Sequence, residues 1–414
     1  MSTEKTKKPW EASMPQTQFD LMKSILSAPS PIGLEGAMTH GILEPYFKTF
    51  APKGWKTHRF VGNAGVVFDS KPDDRDAFTV MIIGHADKIR MQVRTIGEDG
   101  KIWIDSDSFL PTTLIGHEVQ LFSEDPDKLG SFRIIEGGTI EAIGAIHFAD
   151  AKLRSGDRGI KKTMLYLELQ IHGDKPKAQI EALGIQPGDP IILNRPIKKG
   201  FSPDTFYGAY LDNGLGCFVA AEVARIIEEG GGLKNIRVLY TMASHEEIGR
   251  FGSRVAAGEL RPNAVIGADV THDYKAAPGI GDRRMTPIKM AEGFTVKTGS
   301  VTSPYLNLLY KEACQKEGIP FQETHGGRDT GTDAMAPFLA SIDAATTSIG
   351  FPIRNMHTIS ELGHTKDVLT AIWGTVALLK HMDAKGTCVD DFKDNHPRLD
   401  QAAPLNHRAP KEEE

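Results

Sequence analysis

The chain has 414 residues, of which 40% are hydrophobic and 25% are charged. This composition is ordinary for a soluble globular protein and allows one large domain or two. Lysine and arginine number 48 and aspartate and glutamate number 54, which gives a net charge of -6 without a charged block in the body. That balance excludes the basic surface typical of proteins that bind nucleic acid or an anionic membrane.

The three cysteines also bear on location. Cys217, Cys314 and Cys388 are far apart and have no metal-binding spacing, which suits a reducing compartment. The first ten residues lack the apolar stretch of a signal peptide, and no apolar run reaches the length of a membrane span. The sequence therefore predicts a cytoplasmic protein with neither nucleic acid nor membrane as a partner.

Apolar, β-rich runs alternate with helical patterns between two predicted polar tails, at residues 1–14 and 386–414. The predicted strands are, in chain order, 78–84, 236–242, 264–268 and 346–350. The predicted helices are 19–26, 215–227, 305–314, 334–339 and 368–382. This alternation predicts an α/β catalytic domain, built from residues 15–93 and 205–385, with a mostly parallel sheet covered by helices on both faces.

The stretch 94–204 has a different pattern. Short β-rich segments are separated there by Gly, Asp and Pro, at 101–104, 118–122, 139–143 and 164–169. Because the helix and strand alternation resumes at Leu211, this stretch is predicted to be a small β domain inserted into the α/β domain.

The most informative feature is the adjacent pair Glu246 and Glu247, which follows the apolar run 236–242. Neighbouring residues at a strand end point in different directions. One carboxylate can therefore ligate a metal while the other reaches the water that the metal activates. Taken alone, the pair also fits the solvated start of a helix.

Further residues of metal-ligating type stand close to the ends of predicted strands or to the start of a helix: His85, Asp212, Asp269 and His357. In open α/β sheets, sites collect at the carboxyl ends of the strands. We therefore expect these four residues to converge with Glu247, although they are distant in the sequence.

Two histidines and three carboxylates suit a pair of zinc ions, and cobalt or manganese also fit. Asp212 is the predicted bridge between the two ions. Asp87 is expected to orient the far nitrogen of His85, and Glu246 is the predicted general base. Carboxylates about 4 Å apart repel by roughly 4 kcal/mol per pair at an effective dielectric near 20, so such a cluster calls for divalent cations.

These motifs resemble, in the same order, the signature of the tetrahedral aminopeptidases, the glutamyl and leucyl aminopeptidase family of co-catalytic metallopeptidases. The resemblance covers about residues 15–385 and rests on the segments 85–87, 211–213, 246–249, 267–272, 331–333 and 352–357. It implies one metal at His85, Asp212 and Asp269, and another at Asp212, Glu247 and His357. The same resemblance implies Glu246 as general base and Asp87 as orienter.

The position of the insertion is the specific part of this resemblance. The family places a β-barrel-like domain between the His-x-Asp motif and the bridging aspartate, and 125 positions separate Asp87 from Asp212. The related carboxypeptidase and acylase family places its extra domain after the glutamate pair. That family is the weaker match, because only 88 positions separate Asp269 from His357. The tetrahedral family often forms dodecamers, so a homo-oligomer is implied.

The chain departs from the family pattern at a few positions. Gly214 stands where the family commonly has Arg, and Lys88 and Arg90 stand where it commonly has Glu and Gly. The two cations are expected either to favour acidic substrate groups or to pair with local aspartates. Arg250 and Ser253, after the glutamate pair, are smaller variations.

The sequence predicts a metal-dependent aminopeptidase that hydrolyses N-terminal residues from short peptides. Two alternatives remain open: another di-metal amidohydrolase, such as a deacylase or a specialised dipeptide hydrolase, and a catalytically inactive binding or scaffold protein. A dinucleotide loop at 214–216 is disfavoured because Val219 replaces the third glycine. Asp333 is predicted to be the N-cap of the helix 334–339, with a position that faces substrate as the alternative.

Overall fold

The computed structural model describes residues 7–106, 108–125, 127–277, 279 and 285–402. Its strands are β1 (Lys56–Arg59), β2 (Gly65–Asp69), β3 (Phe78–His85), β4 (Met91–Ile96), β5 (Ile102–Ser106), β6 (Glu118–Glu124), β7 (Phe132–Glu141), β8 (Tyr166–Glu168), β9 (Pro190–Leu193), β10 (Lys198–Lys199), β11 (Thr205–Gly208), β12 (Ile236–Ala243), β13 (Ala264–His272), β14 (Phe294–Gly299), β15 (Phe321–Gly326), β16 (Ala345–Ile353) and β17 (Glu361–His364).

The α-helices are α1 (Gln16–Ser27), α2 (Gly36–Met38), α3 (Glu44–Phe47), α4 (Ala151–Ser155), α5 (Pro176–Ala182), α6 (Leu211–Glu229), α7 (Phe251–Leu260), α8 (Pro304–Glu317), α9 (Ala336–Leu339), α10 (Thr365–Lys385) and α11 (Val389–Asp394). A π-helical turn, Thr39–Leu43, joins α2 to α3. Among the described residues, no helix is both long and apolar enough to cross a membrane.

The main sheet has eight strands in the order β1-β2-β12-β3-β13-β16-β14-β15. Its four central strands, β12, β3, β13 and β16, are parallel to one another. Strands β2 and β14 run antiparallel to the neighbours at the two flanks of this group. Every residue of β3 and β12 is buried, as expected for strands covered on both faces. The predicted α/β class with a central parallel sheet is confirmed.

Alternate side chains of the central strands enter separate cores on the two faces of the sheet. Val80 and Ile82 of β3 join the larger core, which also contains residues of α1, α6, α8 and α10. Met81 and Ile83 join a smaller core with alanines of α7 and α9. This division follows from the two-residue period of a strand, and it places helices on both faces as predicted.

Six strands form a closed barrel in the order β4-β5-β8-β7-β6-β9. The barrel has a hydrophobic core of its own, which includes Ile104, Leu121 and Leu167. The predicted small β-barrel-like unit between the two parts of the α/β fold is therefore confirmed. Its first strand begins at Met91, three residues before the predicted boundary at 94.

Both predicted tails contain residues that pack on the α/β core. Trp10 is buried, and its ring centroid lies 6.0 Å from that of Trp373 in α10. At the other end, Phe392 of α11 stacks on Phe78, with centroids 5.2 Å apart. The outermost parts of the predicted tails, residues 1–6 and 403–414, lie outside the described residues.

Candidate metal centre

Four elements of the α/β fold bring predicted site residues to one edge of the main sheet. His85 is the last residue of β3, and Asp212 lies in the first turn of α6. Glu247 follows the end of β12 by four residues. Asp269 was expected just after its strand, but β13 continues to His272 and pairs Asp269 with Gly350 of β16. The longer pairing with β16 extends the strand beyond its apolar run.

Glycines allow α6 to lie directly against the sheet. A Cβ atom at Gly216 would lie 2.2 Å from the main-chain oxygen of Ala268, and one at Gly84 would lie 2.3 Å from the carbonyl carbon of Gly216. The Asn213 side chain donates to the same Ala268 oxygen at 2.8 Å. The first turn of α6 is thereby held against β3 and β13, which places Asp212 beside their ends.

The predicted ligands form two groups that share Asp212. The first is His85, Asp212 and Asp269, and the second is Asp212, Glu247 and His357. Within each group, one nitrogen or oxygen atom from each residue lies within 4.8 Å of those of the others. Each oxygen of Asp212 faces one imidazole: Oδ1 is 3.0 Å from Nε2 of His85, and Oδ2 is 3.3 Å from Nε2 of His357.

Asp87 connects His85 to the glutamate pair. Nδ1 of His85 lies 3.1 Å from the main-chain oxygen of Asp87 and 3.5 Å from its Oδ1. The two carboxylate oxygens of Asp87 accept hydrogen bonds from the main-chain N–H groups of Glu246 and Glu247, each at 3.2 Å. Asp87 thus contacts the far nitrogen of the imidazole, and it also fixes the turn that carries both glutamates.

Two residues that the sequence analysis missed support His357. Its main-chain N–H donates to Glu361 at 2.6 Å, and the other oxygen of Glu361 accepts from the N–H of Leu211 at 2.6 Å. Nδ1 of His357 lies 3.2 Å from the main-chain oxygen of Ser108, which belongs to a loop of the barrel. Neither contact has a local sequence signal, because each depends on segments that meet only in the folded chain.

The carboxylates are crowded, and the pKa values of the site residues reflect this. Burial and the charge of Asp212 raise the pKa values of Glu247 and Asp269 well above their ordinary range. Burial acts to lower the pKa of His85, but the neighbouring carboxylates of Asp212 and Asp87 outweigh it and raise that pKa well above its usual value. The crowded carboxylates therefore stabilise a positively charged group, such as the protonated His85 imidazole, in their midst.

The arrangement fits divalent cations. Oε1 of Glu247 is buried and finds no hydrogen-bond donor among the described residues, although it lies 3.8 Å from Nε2 of His357. A buried carboxylate oxygen without a donor is costly unless another positive partner satisfies it. Imidazole and carboxylate are the donor types that zinc and related ions accept, so these residues fit a metal site.

Asp333 does not have its predicted role. Thr332 is the residue whose side chain accepts from the N–H of Ala334, at the start of a short 3-10 helix, Asp333–Met335. The Asp333 carboxylate is buried and accepts a short hydrogen bond from Ser253 instead. Burial and the charge of Glu246 raise the pKa of Asp333 to about 7. The predicted N-cap was wrong because Thr332 already supplies the capping oxygen.

Among the described residues, neither of the unusual cations near the first motif pairs with a local aspartate. The Lys88 ammonium is buried and donates to the main-chain oxygens of Leu26, at 2.7 Å, and Ala28. Arg90 donates to the main-chain oxygen of Ile32 and to the Gln92 side chain. Lys88 therefore satisfies carbonyl groups at the C-terminal end of α1.

At one edge of the parallel strands, two clusters of imidazole and carboxylate side chains share one aspartate. This arrangement is typical of a metal-dependent hydrolase. The family model of the M42 glutamyl aminopeptidases matches residues 65–373, and the chain belongs to this family. It is accordingly an aminopeptidase of the metallopeptidase type.

Curated relatives and solved structures agree with this assignment. The chain is 27% identical to a lysyl aminopeptidase of Pyrococcus furiosus over 366 residues, which cover 88% of this chain and 97% of that protein. It is 21% identical to a glutamyl aminopeptidase of Lactococcus lactis over 360 residues, which cover 85% and 93%.

The fold is similar to that of a TET aminopeptidase from a marine sediment Thaumarchaeota archaeon. The TM-score is 0.79 at 20% identity, with 91% of this chain and 100% of that chain covered. A TET1 peptidase of Pyrococcus horikoshii gives a TM-score of 0.70 at 16% identity, with 87% and 98% covered. At these identities the structures establish the shared fold.

Proposed function

We propose that this aminopeptidase uses two divalent metal ions and Glu246 to remove N-terminal residues from short peptides. The observation that carries the proposal is the sharing of Asp212 between two groups of candidate ligands. A carboxylate that faces a different imidazole with each of its oxygens has the geometry of a bridge. One carboxylate between two ions is the usual arrangement in two-metal hydrolytic sites.

In this proposal His85 and Asp269 complete one ligand set around Asp212, and Glu247 and His357 complete the other. Zinc is the proposed ion, with cobalt or manganese as chemically suitable substitutes. Bound there, the ions would lower the pKa of water to about 7 and polarise the scissile carbonyl. Asp87 holds the ring of His85 in the orientation that directs Nε2 toward Asp212.

Glu246 is available as the general base because neither ligand group requires it. Its Oε2 lies 3.9 Å from Nε2 of His85, so the carboxylate reaches the centre without belonging to either group. Burial raises its pKa above the ordinary value, which favours proton uptake at neutral pH. Glu246 takes a proton from the attacking water and then delivers it to the departing amine.

The proposal includes a cytoplasmic homo-oligomer that acts on peptides. All three cysteines are free, which suits a reducing compartment. The similar TET1 peptidase of Pyrococcus horikoshii can assemble into a tetrahedron or a large octahedral shell. In this chain, Ile248, Phe251 and Val255 are large apolar side chains exposed near the start of α7, which supports an interface between copies.

The experiment compares wild type with Glu246→Gln on free aminoacyl, N-acylated and internal-peptide substrates. We expect wild type to cleave only substrates with a free N-terminus, and Glu246→Gln to lose about 10²–10⁴-fold in kcat with its metal content unchanged. Glu259→Gln, an exposed change on α7, is the matched control and should retain wild-type kcat.

Preferential cleavage of N-acylated substrates would instead favour a deacylase on the same site. If Glu246→Gln retains most of its activity, Glu246 is not the base. Metal-free protein that remains fully active would contradict the whole proposal.

A further inference from the structure

Arg250 is the closest cationic side chain to Glu246 among the described residues. It lies four positions after Glu246, directly before α7, and its backbone adopts the left-handed conformation at φ 60°. Its Nε is 3.5 Å from Oε1 of Glu246, and its Nη1 is 2.9 Å from both carboxylate oxygens of Asp329. One guanidinium group thus contacts two carboxylates at once, which its planar fork permits.

Asp329 is itself held in place from within its loop, which follows β15. Its Oδ1 accepts a hydrogen bond from the N–H of Gly331 at 2.7 Å. The next residue, Thr330, accepts a hydrogen bond through its main-chain oxygen from the half-buried ammonium of Lys297 in β14. Because these contacts do not involve Arg250, the loop presents Asp329 as a fixed anion to which the guanidinium is oriented.

A separate contact already joins this loop to the segment after the glutamate pair. Ser253 donates to Asp333 at a buried position. The Arg250–Asp329 pair is more exposed, since Asp329 has 51% of its side chain accessible and Arg250 has 21%. Ion pairs as exposed as this contribute little to stability. The pair is therefore not needed to hold the two segments together. What distinguishes Arg250 is its contact with Glu246.

We propose that Arg250, oriented by Asp329, is a positioning residue that holds the Glu246 carboxylate in the direction required for proton transfer. The inference rests on the proposed role of Glu246 as general base. A glutamate side chain has several rotamers, and proton transfer requires one of them. A misplacement of about 1 Å is enough to cost about 10²-fold in rate.

The test measures kcat, KM, metal content and thermal stability for Arg250→Met, Asp329→Asn and the double variant. We expect Arg250→Met to lower kcat about 10–100-fold, with KM within about 2-fold of wild type and metal content unchanged. Asp329→Asn should lower kcat less. The double variant should match Arg250→Met, because Asp329 acts only through Arg250.

Two further variants test whether the guanidinium of Arg250 itself causes the expected loss of kcat. Arg254→Met removes an exposed arginine of α7, the helix that begins directly after Arg250, and should leave kcat unchanged. Arg250→Lys keeps the charge but lacks the planar fork, so it should recover only part of the lost kcat.

Three results would overturn the inference: an unchanged kcat in Arg250→Met, a raised KM at constant kcat, or a loss of kcat that follows loss of metal or of thermal stability. Glu246→Gln, assayed alongside, separates this failure from that of the proposed function. If Glu246→Gln remains active, the general base is misassigned and the inference falls with it. If Glu246→Gln is inactive and Arg250→Met is not, only the inference fails.

Discussion

At the scale of single residues, Lys88 shows how a departure from a family pattern acquires a structural role. Its side chain is fully buried, and its ammonium lies 5.3 Å from the centre of the Tyr210 ring while it donates to the end of α1. Burial lowers the pKa of Lys88 to about 7, from its ordinary value of 10.5. The sequence analysis expected Lys88 to bind acidic substrate groups or to pair with a local aspartate, whereas its side chain is buried against the end of α1.

This pKa makes stability depend on pH in a defined direction. Between about pH 7 and the ordinary lysine pKa of 10.5, the unfolded chain binds a proton that folded Lys88 has released. The free energy of unfolding therefore rises with pH in this window, by about 1 kcal/mol per pH unit from this residue.

We expect Lys88→Met to remove that rise. Chemical denaturation at several pH values between about 7 and about 9 measures it as a difference in slope between wild type and the variant. Lys23→Met, an exposed change on α1, should keep the wild-type slope. Equal slopes in wild type and Lys88→Met would show that burial does not lower the pKa of Lys88.

At the scale of elements, the site depends on how closely α6 approaches the sheet. Gly214 and Gly216 both lie in the first turns of α6 but face different neighbours. A Cβ at Gly214 would meet the end of the Leu26 side chain at 2.8 Å, whereas one at Gly216 would meet the main-chain oxygen of Ala268 at 2.2 Å. A side-chain methyl group can move aside, but a strand carbonyl cannot move without disturbing the sheet.

We therefore expect Gly216→Ala to be the more damaging of two matched substitutions. It should destabilise the fold by about 3 kcal/mol and reduce metal retention, because α6 carries Asp212 away from β13. Gly214→Ala should cost about 1 kcal/mol or less, since the gain in helix propensity offsets the contact. Thermal melts and metal analysis measure both effects. Equal losses in the two variants would contradict this account of the packing.

The elements also explain which parts of the structure the sequence predicted. The central strands were predictable because buried parallel strands are continuous apolar runs, as in 78–84 and 236–242. Strands β2 and β14 were missed, since they lie outside the parallel group and pair antiparallel at its flanks. The five candidate ligands were predictable from residue type and position near strand ends. Their supporting residues, such as Glu361, were not, because strand β17 has no pattern that links it to α6.

At the scale of the whole molecule, the barrel takes part in the site of the α/β domain. The Ser108 carbonyl that faces Nδ1 of His357 comes from the barrel, while the His357 main chain is held by Glu361. The insertion is therefore in contact with one of the proposed ligands. The sequence predicted where the insertion lies, but not this contact, which requires the two domains to be packed together.

We expect the full chain to be a homo-oligomer in solution. Light scattering coupled to size-exclusion chromatography should give a mass that is a multiple of the 45.2 kDa chain, with twelve copies as the number that the resemblance to the tetrahedral family implies. Exposed apolar side chains on α7, such as Phe251, are the physical reason. A single species at the mass of one chain would contradict the proposed assembly.

The claim on which the account most depends is that two metal ions share Asp212. A crystal structure of the active enzyme, with anomalous data at the absorption edge of its metal, tests it directly. We predict two anomalous peaks about 3.5–4 Å apart, each about 2 Å from its nearest ligand atoms, with one oxygen of Asp212 bound to each ion. A fully active enzyme with one peak, or with no peak at these residues, would contradict the claim.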